Sequence, residues 1–102
     1  METMHVPQLL SIEVASALRV LETRKQVSSA DAARALVELL GFGLIAYAHE
    51  PLLARVWQLR GKVTASEAVY IALAEHLVAP LITCDARLAA APGHHATIEL
   101  FV

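Results

Sequence analysis

Residues 63–90, VTASEAVYIALAEHLVAPLITCDARLAA, decide the fold. From Thr64 to Val78 the stretch is apolar almost all the way round. Ala65, Val69, Ala72 and Leu73 share one side, and Tyr70, Ile71, Ala74 and Val78 the other. A helix with that pattern is buried rather than laid on a surface. Ala79-Pro80 is expected to end it, because proline cannot continue the hydrogen-bond ladder and restricts the residue before it. Leu81-Ile82-Thr83 then reads as a short buried strand, and Asp85 follows at once. In open α/β sheets chemistry gathers beyond the carboxyl ends of the strands, so an acid there is the first candidate for function.

Upstream, His49-Glu50-Pro51 turns the chain into a helix over residues 52–59 that Gly61 closes. Leu44-Ile45-Ala46-Tyr47 is a short strand. Ser28 opens a helix with Asp31 as its capping-box partner, buried side Ala32, Ala35, Leu36, Leu39 and Leu40, and Gly41 at its end. Leu10, Val14, Ala17, Leu18 and Leu21 recur at helical spacing, which predicts a helix from Gln8 to about Lys25. Glu13 lies on the border of its buried face, roughly 80° from the stripe's centre at ~100° per residue. Met4-His5-Val6 before Pro7 reads as a strand. Downstream come a helical turn from Ala86, a loop at Pro92-Gly93-His94-His95 and a strand over residues 97–102. Strands separated by helices predict an α/β fold with a mainly parallel sheet covered on both faces.

The 102 residues suffice for one domain, 1–102. Hydrophobic residues make up 57 % and aromatic residues 5 %, so the excess is Ala, Leu and Val. That favours close-packed helices and leaves apolar surface in need of a partner. No apolar run approaches a membrane span, and METMHVP shows no basic region followed by an apolar core, so neither a membrane segment nor a signal peptide is expected. Cys84 is the only cysteine. It excludes an internal disulfide framework, suits a cytoplasmic location and reads as a small buried residue. The net charge of −2 is unlike that of most nucleic-acid binders, so such a role must rest on a local patch. The basic residues fall mainly into two groups, Arg19-Arg24-Lys25 and Arg55-Arg60-Lys62; each reads either as a phosphate track or as solvated helix ends.

Three carboxylates interrupt apolar sequence: Glu13, Glu67 and Asp85. Acids gathered in one place repel unless a cation joins them, and the usual cation for an all-oxygen cluster is Mg²⁺ or Mn²⁺. Each also has a purely structural reading. Thr64-Ala65-Ser66-Glu67 is a capping box, Asp85 can cap the turn beginning at Ala86, and Glu13 can be a partly solvated helix residue. His94-His95 reads as a solvated loop. There is no Ser-His-Asp arrangement and no Gly-rich phosphate loop.

Residues 9–14 with Ala17-Leu18-Arg19, residues 64–75 (TASEAVYIALAE) and residues 81–88 (LITCDARL) together resemble the PIN-domain family, and within it the VapC-type toxins of bacterial toxin–antitoxin pairs. The resemblance runs in order over nearly the whole chain. It implies a metal-dependent endoribonuclease with a small parallel sheet between helices. Glu13, Glu67 and Asp85 would hold Mg²⁺ or Mn²⁺, with Thr83 as the accompanying hydroxyl. RNA would be the substrate and a small antitoxin the partner. Glu67 stands where the family usually has aspartate. Family members begin with a central strand that carries a further aspartate, and this chain starts at what would be the second strand. Weak or absent activity is therefore expected, with a catalytically dead fragment that binds an antitoxin or itself as the alternative. Open strand edges predict a homodimer.

Overall fold

The computed structural model describes residues 4–83 and 85–100. Cys84 and the last two residues of the expected C-terminal strand lie outside the described residues. The chain divides into two compact units, one ending at Tyr47 and one beginning at Ala48.

The first unit is built as strand, two helices, strand. β1 (Met4–Pro7) pairs in parallel with β2 (Leu44–Tyr47), Met4 opposite Leu44 and Pro7 opposite Tyr47. The ladder continues into Gln8, whose amide donates to the Tyr47 carbonyl at 3.0 Å. His5 Nδ1 and the Tyr47 hydroxyl lie 2.6 Å apart and tie the two strands by their side chains. A parallel pair requires a crossover, and α1 (Leu9–Thr23) and α2 (Ser29–Leu40) supply it. Ser28 caps α2 by accepting from the Asp31 amide at 3.0 Å, while the Asp31 carboxylate pairs with Arg34 instead of closing a capping box. Among the described residues of the unit, Val6 and Pro7 are buried. The expected stripe of α1 is half-buried at Leu10, Val14, Leu18 and Leu21, and Ala35 and Leu40 of α2 are exposed.

The second unit holds the core. A 3₁₀ turn at Glu50–Leu52, started by Pro51, leads into α3 (Leu53–Gln58). The organising helix is α4 (Ala65–Leu77). It is followed by β3 (Leu81–Thr83), the short α5 (Ala86–Ala89) and β4 (Ile98–Leu100), and β3 and β4 run parallel with Leu81 opposite Ile98. Ala68, Val69, Ile71, Ala72, Leu73 and Ala74 of α4 are all buried, as its unbroken apolar sequence predicts. Leu59, Val63 and Leu88 close on Ala68 and Ile71 to form one cluster. Full burial of a side chain the size of Leu59 or Ile71 contributes about 1.5–3 kcal/mol, so this cluster is where the unit's stability is concentrated.

The two ends of α4 differ from the simple pattern. Ala65 is exposed, and Val78 leaves the helix altogether at 93 % exposure. Proline is not what stops α4. Val78 adopts a left-handed conformation (φ 51°), its amide donates to Glu75 O at 3.2 Å, and the Ala79 amide donates to Ala74 O at 3.1 Å. This pair of bonds is a Schellman cap, a motif usually built on glycine.

Candidate active site

The end of β3 and the start of α4 bring three of the four sequence-selected residues together. Thr64 is extended, and its hydroxyl accepts from the Glu67 amide at 3.2 Å. Glu67 Oε1 accepts in return from the Thr64 amide at 2.9 Å. Both halves of the capping box are therefore made, and they occupy one carboxylate oxygen. The other, Oε2, accepts from Arg87 Nη2 at 2.5 Å.

Asp85 is arranged in the same way. Its Oδ1 accepts from the Arg87 amide at 2.9 Å and the Leu88 amide at 3.4 Å, which caps α5. Its Oδ2 faces Arg87 Nη2 at 3.7 Å. Thr83 fixes the turn between strand and cap, because its hydroxyl accepts from the Asp85 amide at 3.1 Å. Each acid thus commits one oxygen to a helix start and turns the other toward a single guanidinium nitrogen. The structural and functional readings of Glu67 and Asp85 apply to different atoms of the same side chains.

The charge balance follows from these bonds. The Thr64 amide, then the Thr64 hydroxyl and Arg87, hold the Glu67 carboxyl below its ordinary value despite partial burial. Glu67 therefore carries a full negative charge at neutral pH. Glu13 lies half-buried on α1 in the first unit. Among the described residues no group of three or more His, Cys, Asp or Glu is close enough to hold a metal ion.

A second ionic cluster was not apparent from sequence spacing. Glu75 of α4 is only 5 % exposed at its side chain and receives both arms of Arg55, at 2.7 and 2.9 Å. It also accepts from the His95 amide at 2.8 Å, while Arg55 donates to Gly93 O at 3.2 Å. The Arg55 fork and the His95 amide hold the Glu75 carboxyl far below its ordinary value, at about 2. This clasp ties α3 to α4 and pins the loop at Gly93 and His95, which the sequence alone presents as solvated. It also removes Arg55 from any phosphate track. Arg60 is engaged too, with its guanidinium stacked 4.4 Å from the Trp57 ring centroid. A cleft of about 290 Å³ beside the clasp is lined by Glu75, His95, Thr97 and Glu99, with no Lys or Arg in its wall. Such a wall does not suit a phosphodiester.

Helices alternating with parallel strands, and Asp85 placed just past the end of β3, mark an α/β protein of PIN-like fold. No family model matches the chain. Curated relatives do. It is 39 % identical over 99 residues to Ribonuclease VapC12 of Mycobacterium tuberculosis, spanning 97 % of this chain and 77 % of that protein. It is 43 % identical over 98 residues to Ribonuclease VapC1 of the same organism, across 94 % of this chain and 73 % of the relative. A third, VapC ribonuclease Mb0985 of Mycobacterium bovis, is 40 % identical over 87 residues, 85 % of this chain and 68 % of its own length. The chain belongs to the VapC ribonuclease family. No helix among the described residues is long and apolar enough to cross a membrane.

Proposed function

We propose that this chain is a toxin-type endoribonuclease that cleaves RNA phosphodiester bonds in the cytoplasm with the help of Mg²⁺ or Mn²⁺. Glu67 and Asp85 would hold the ion. The observation that carries the reading is the pair of carboxylate oxygens, Glu67 Oε2 and Asp85 Oδ2, turned toward one shared positive charge beyond β3. The residues fit a hard divalent ion. The donors are all oxygen, and a cationic nitrogen already sits where the two acids face. The chemistry such an ion supplies is Lewis-acid: activation of water and stabilisation of charge on the phosphodiester.

The chain's own groups have defined tasks. The Thr64 cap and the α5 cap fix both carboxylates before any ligand arrives, so neither side chain must be ordered on binding. Thr83 holds the Asp85 backbone and thereby aims the free oxygen. Glu67 supplies one more methylene than the aspartate usual in the family, and the near-octahedral demand of Mg²⁺ then favours low turnover.

A second reading is favoured by the exposed Ile12, Val37, Leu40 and Phe42 of the first unit. It is a catalytically silent module that docks on a cognate antitoxin or on a second copy of itself through apolar surface. Calorimetric Mn²⁺ titration followed by cleavage of a single-stranded RNA separates the two. Metal binding with metal-dependent cleavage supports the nuclease. Neither, in a folded chain that sediments as a dimer, supports the module.

A further inference from the structure

We propose that Arg87 is the resident counter-cation of the Glu67–Asp85 pair, and that it must leave when a divalent ion binds. The chain would then carry its own competitor for the metal. The inference rests on the metal-site reading above and adds to it the identity of the group that tunes occupancy.

Three observations support it. Arg87 Nη2 meets both outward oxygens, at 2.5 Å from Glu67 and 3.7 Å from Asp85. The other oxygen of each acid is engaged in a helix cap, so the pair cannot turn away from the cation without uncapping α4 or α5. The guanidinium is the mobile member, because the Arg87 side chain is 68 % exposed and extends from a helix of four residues. A guanidinium nitrogen seated between these two oxygens occupies the space a divalent ion held by both would need. The two cations would repel at close range, and the ion requires ligands at ~2.1 Å. Exposed ion pairs are weak, so release of Arg87 is cheap and the competition shifts affinity without abolishing binding.

The test is Mn²⁺ binding to the full chain by calorimetry at low ionic strength, for wild type, Arg87→Gln, Arg87→Lys, Asp85→Asn and the remote control Arg60→Gln. Arg87→Gln is expected to tighten Mn²⁺ by about 3- to 10-fold, with Arg87→Lys in between, Arg60→Gln unchanged and the gap narrowing at high salt. Mg²⁺ added to protein labelled with ¹⁵N-arginine should move the Arg87 guanidinium resonance toward that of a solvated arginine. Equal or weaker binding in Arg87→Gln, with binding still lost in Asp85→Asn, overturns the competition and leaves the metal site standing. Equal tightening in Arg60→Gln assigns the effect to net charge and also overturns it. Absence of Mn²⁺ binding in every variant removes the metal site and the proposal together.

Discussion

Val78→Gly should stabilise the second unit, although it deletes an apolar side chain from the boundary of the most buried helix. Val78 is 93 % exposed, so the substitution removes almost no packing. What it relieves is backbone strain. A β-branched residue at φ 51° is a genuine outlier, and a left-handed conformation costs a side chain-bearing residue about 1–2 kcal/mol. Glycine returns roughly 0.4–1 kcal/mol of that, because it gives the unfolded chain more freedom. The net gain is about 0.5–1 kcal/mol, or a rise in Tm of about 2–8 °C for a chain of this size. Urea and thermal denaturation followed by far-UV circular dichroism measure it, with an unchanged m-value as the check that both variants unfold from the same state. Val78→Ala, which removes the β-branch but keeps Cβ, should give a smaller gain. A Val78→Gly protein no more stable than wild type would refute the Schellman account of how α4 ends.

Other outcomes follow from the caps and the clasp. Glu75 is held at about 2 in the folded chain against an ordinary value of 4.5. The unfolded state therefore takes up its proton first as pH falls. The stabilisation, about 3 kcal/mol, approaches its full value as pH rises past 4.5 and disappears as pH drops toward 2. Urea melts across that window should show a steep acid slope in wild type and a flatter one in Glu75→Gln; identical slopes would clear Glu75 of the effect. Arg55→Met should lower stability at neutral pH by about 2–4 kcal/mol, since it leaves a buried carboxylate unpaired, and chemical denaturation reads this directly. Thr64→Ala should cost about 1 kcal/mol through loss of the cap hydroxyl. It should also raise the Glu67 carboxyl only part of the way to its ordinary value in an NMR titration, because the Thr64 amide, the larger influence, remains.

The elements that carry function were readable because their signals are local. Thr64 and Glu67 sit three residues apart, as a capping box requires, and both of its bonds form. LITCD placed β3 and the acid beyond it, and the apolar run of α4 announced its burial. Two kinds of feature stayed hidden. Helix ends depend on backbone conformation that no side chain advertises. α1 and α4 both finish with a left-handed non-glycine residue, Lys25 and Val78, so the proline expected to stop α4 is not the cause. Contacts across about twenty residues were the other. Nothing in the spacing of Arg55, Glu75 and His95 shows that they form one clasp, or that Arg87 bridges Glu67 and Asp85. α1 and α2 bury less than their sequences suggest for a related reason: an apolar stripe states what a helix can bury, not what covers it.

The central claim is tested most directly by Mn²⁺-dependent cleavage of single-stranded RNA by wild type, Glu67→Gln and Asp85→Asn, each first shown to be folded. Glutamine serves a capping box and asparagine caps a helix as well as aspartate, so both substitutions keep the structural oxygen and remove the charge from the outward one. The account predicts Mn²⁺-stimulated cleavage in wild type and its loss in both variants with little change in Tm. Cleavage that persists undiminished in the two folded variants would contradict it.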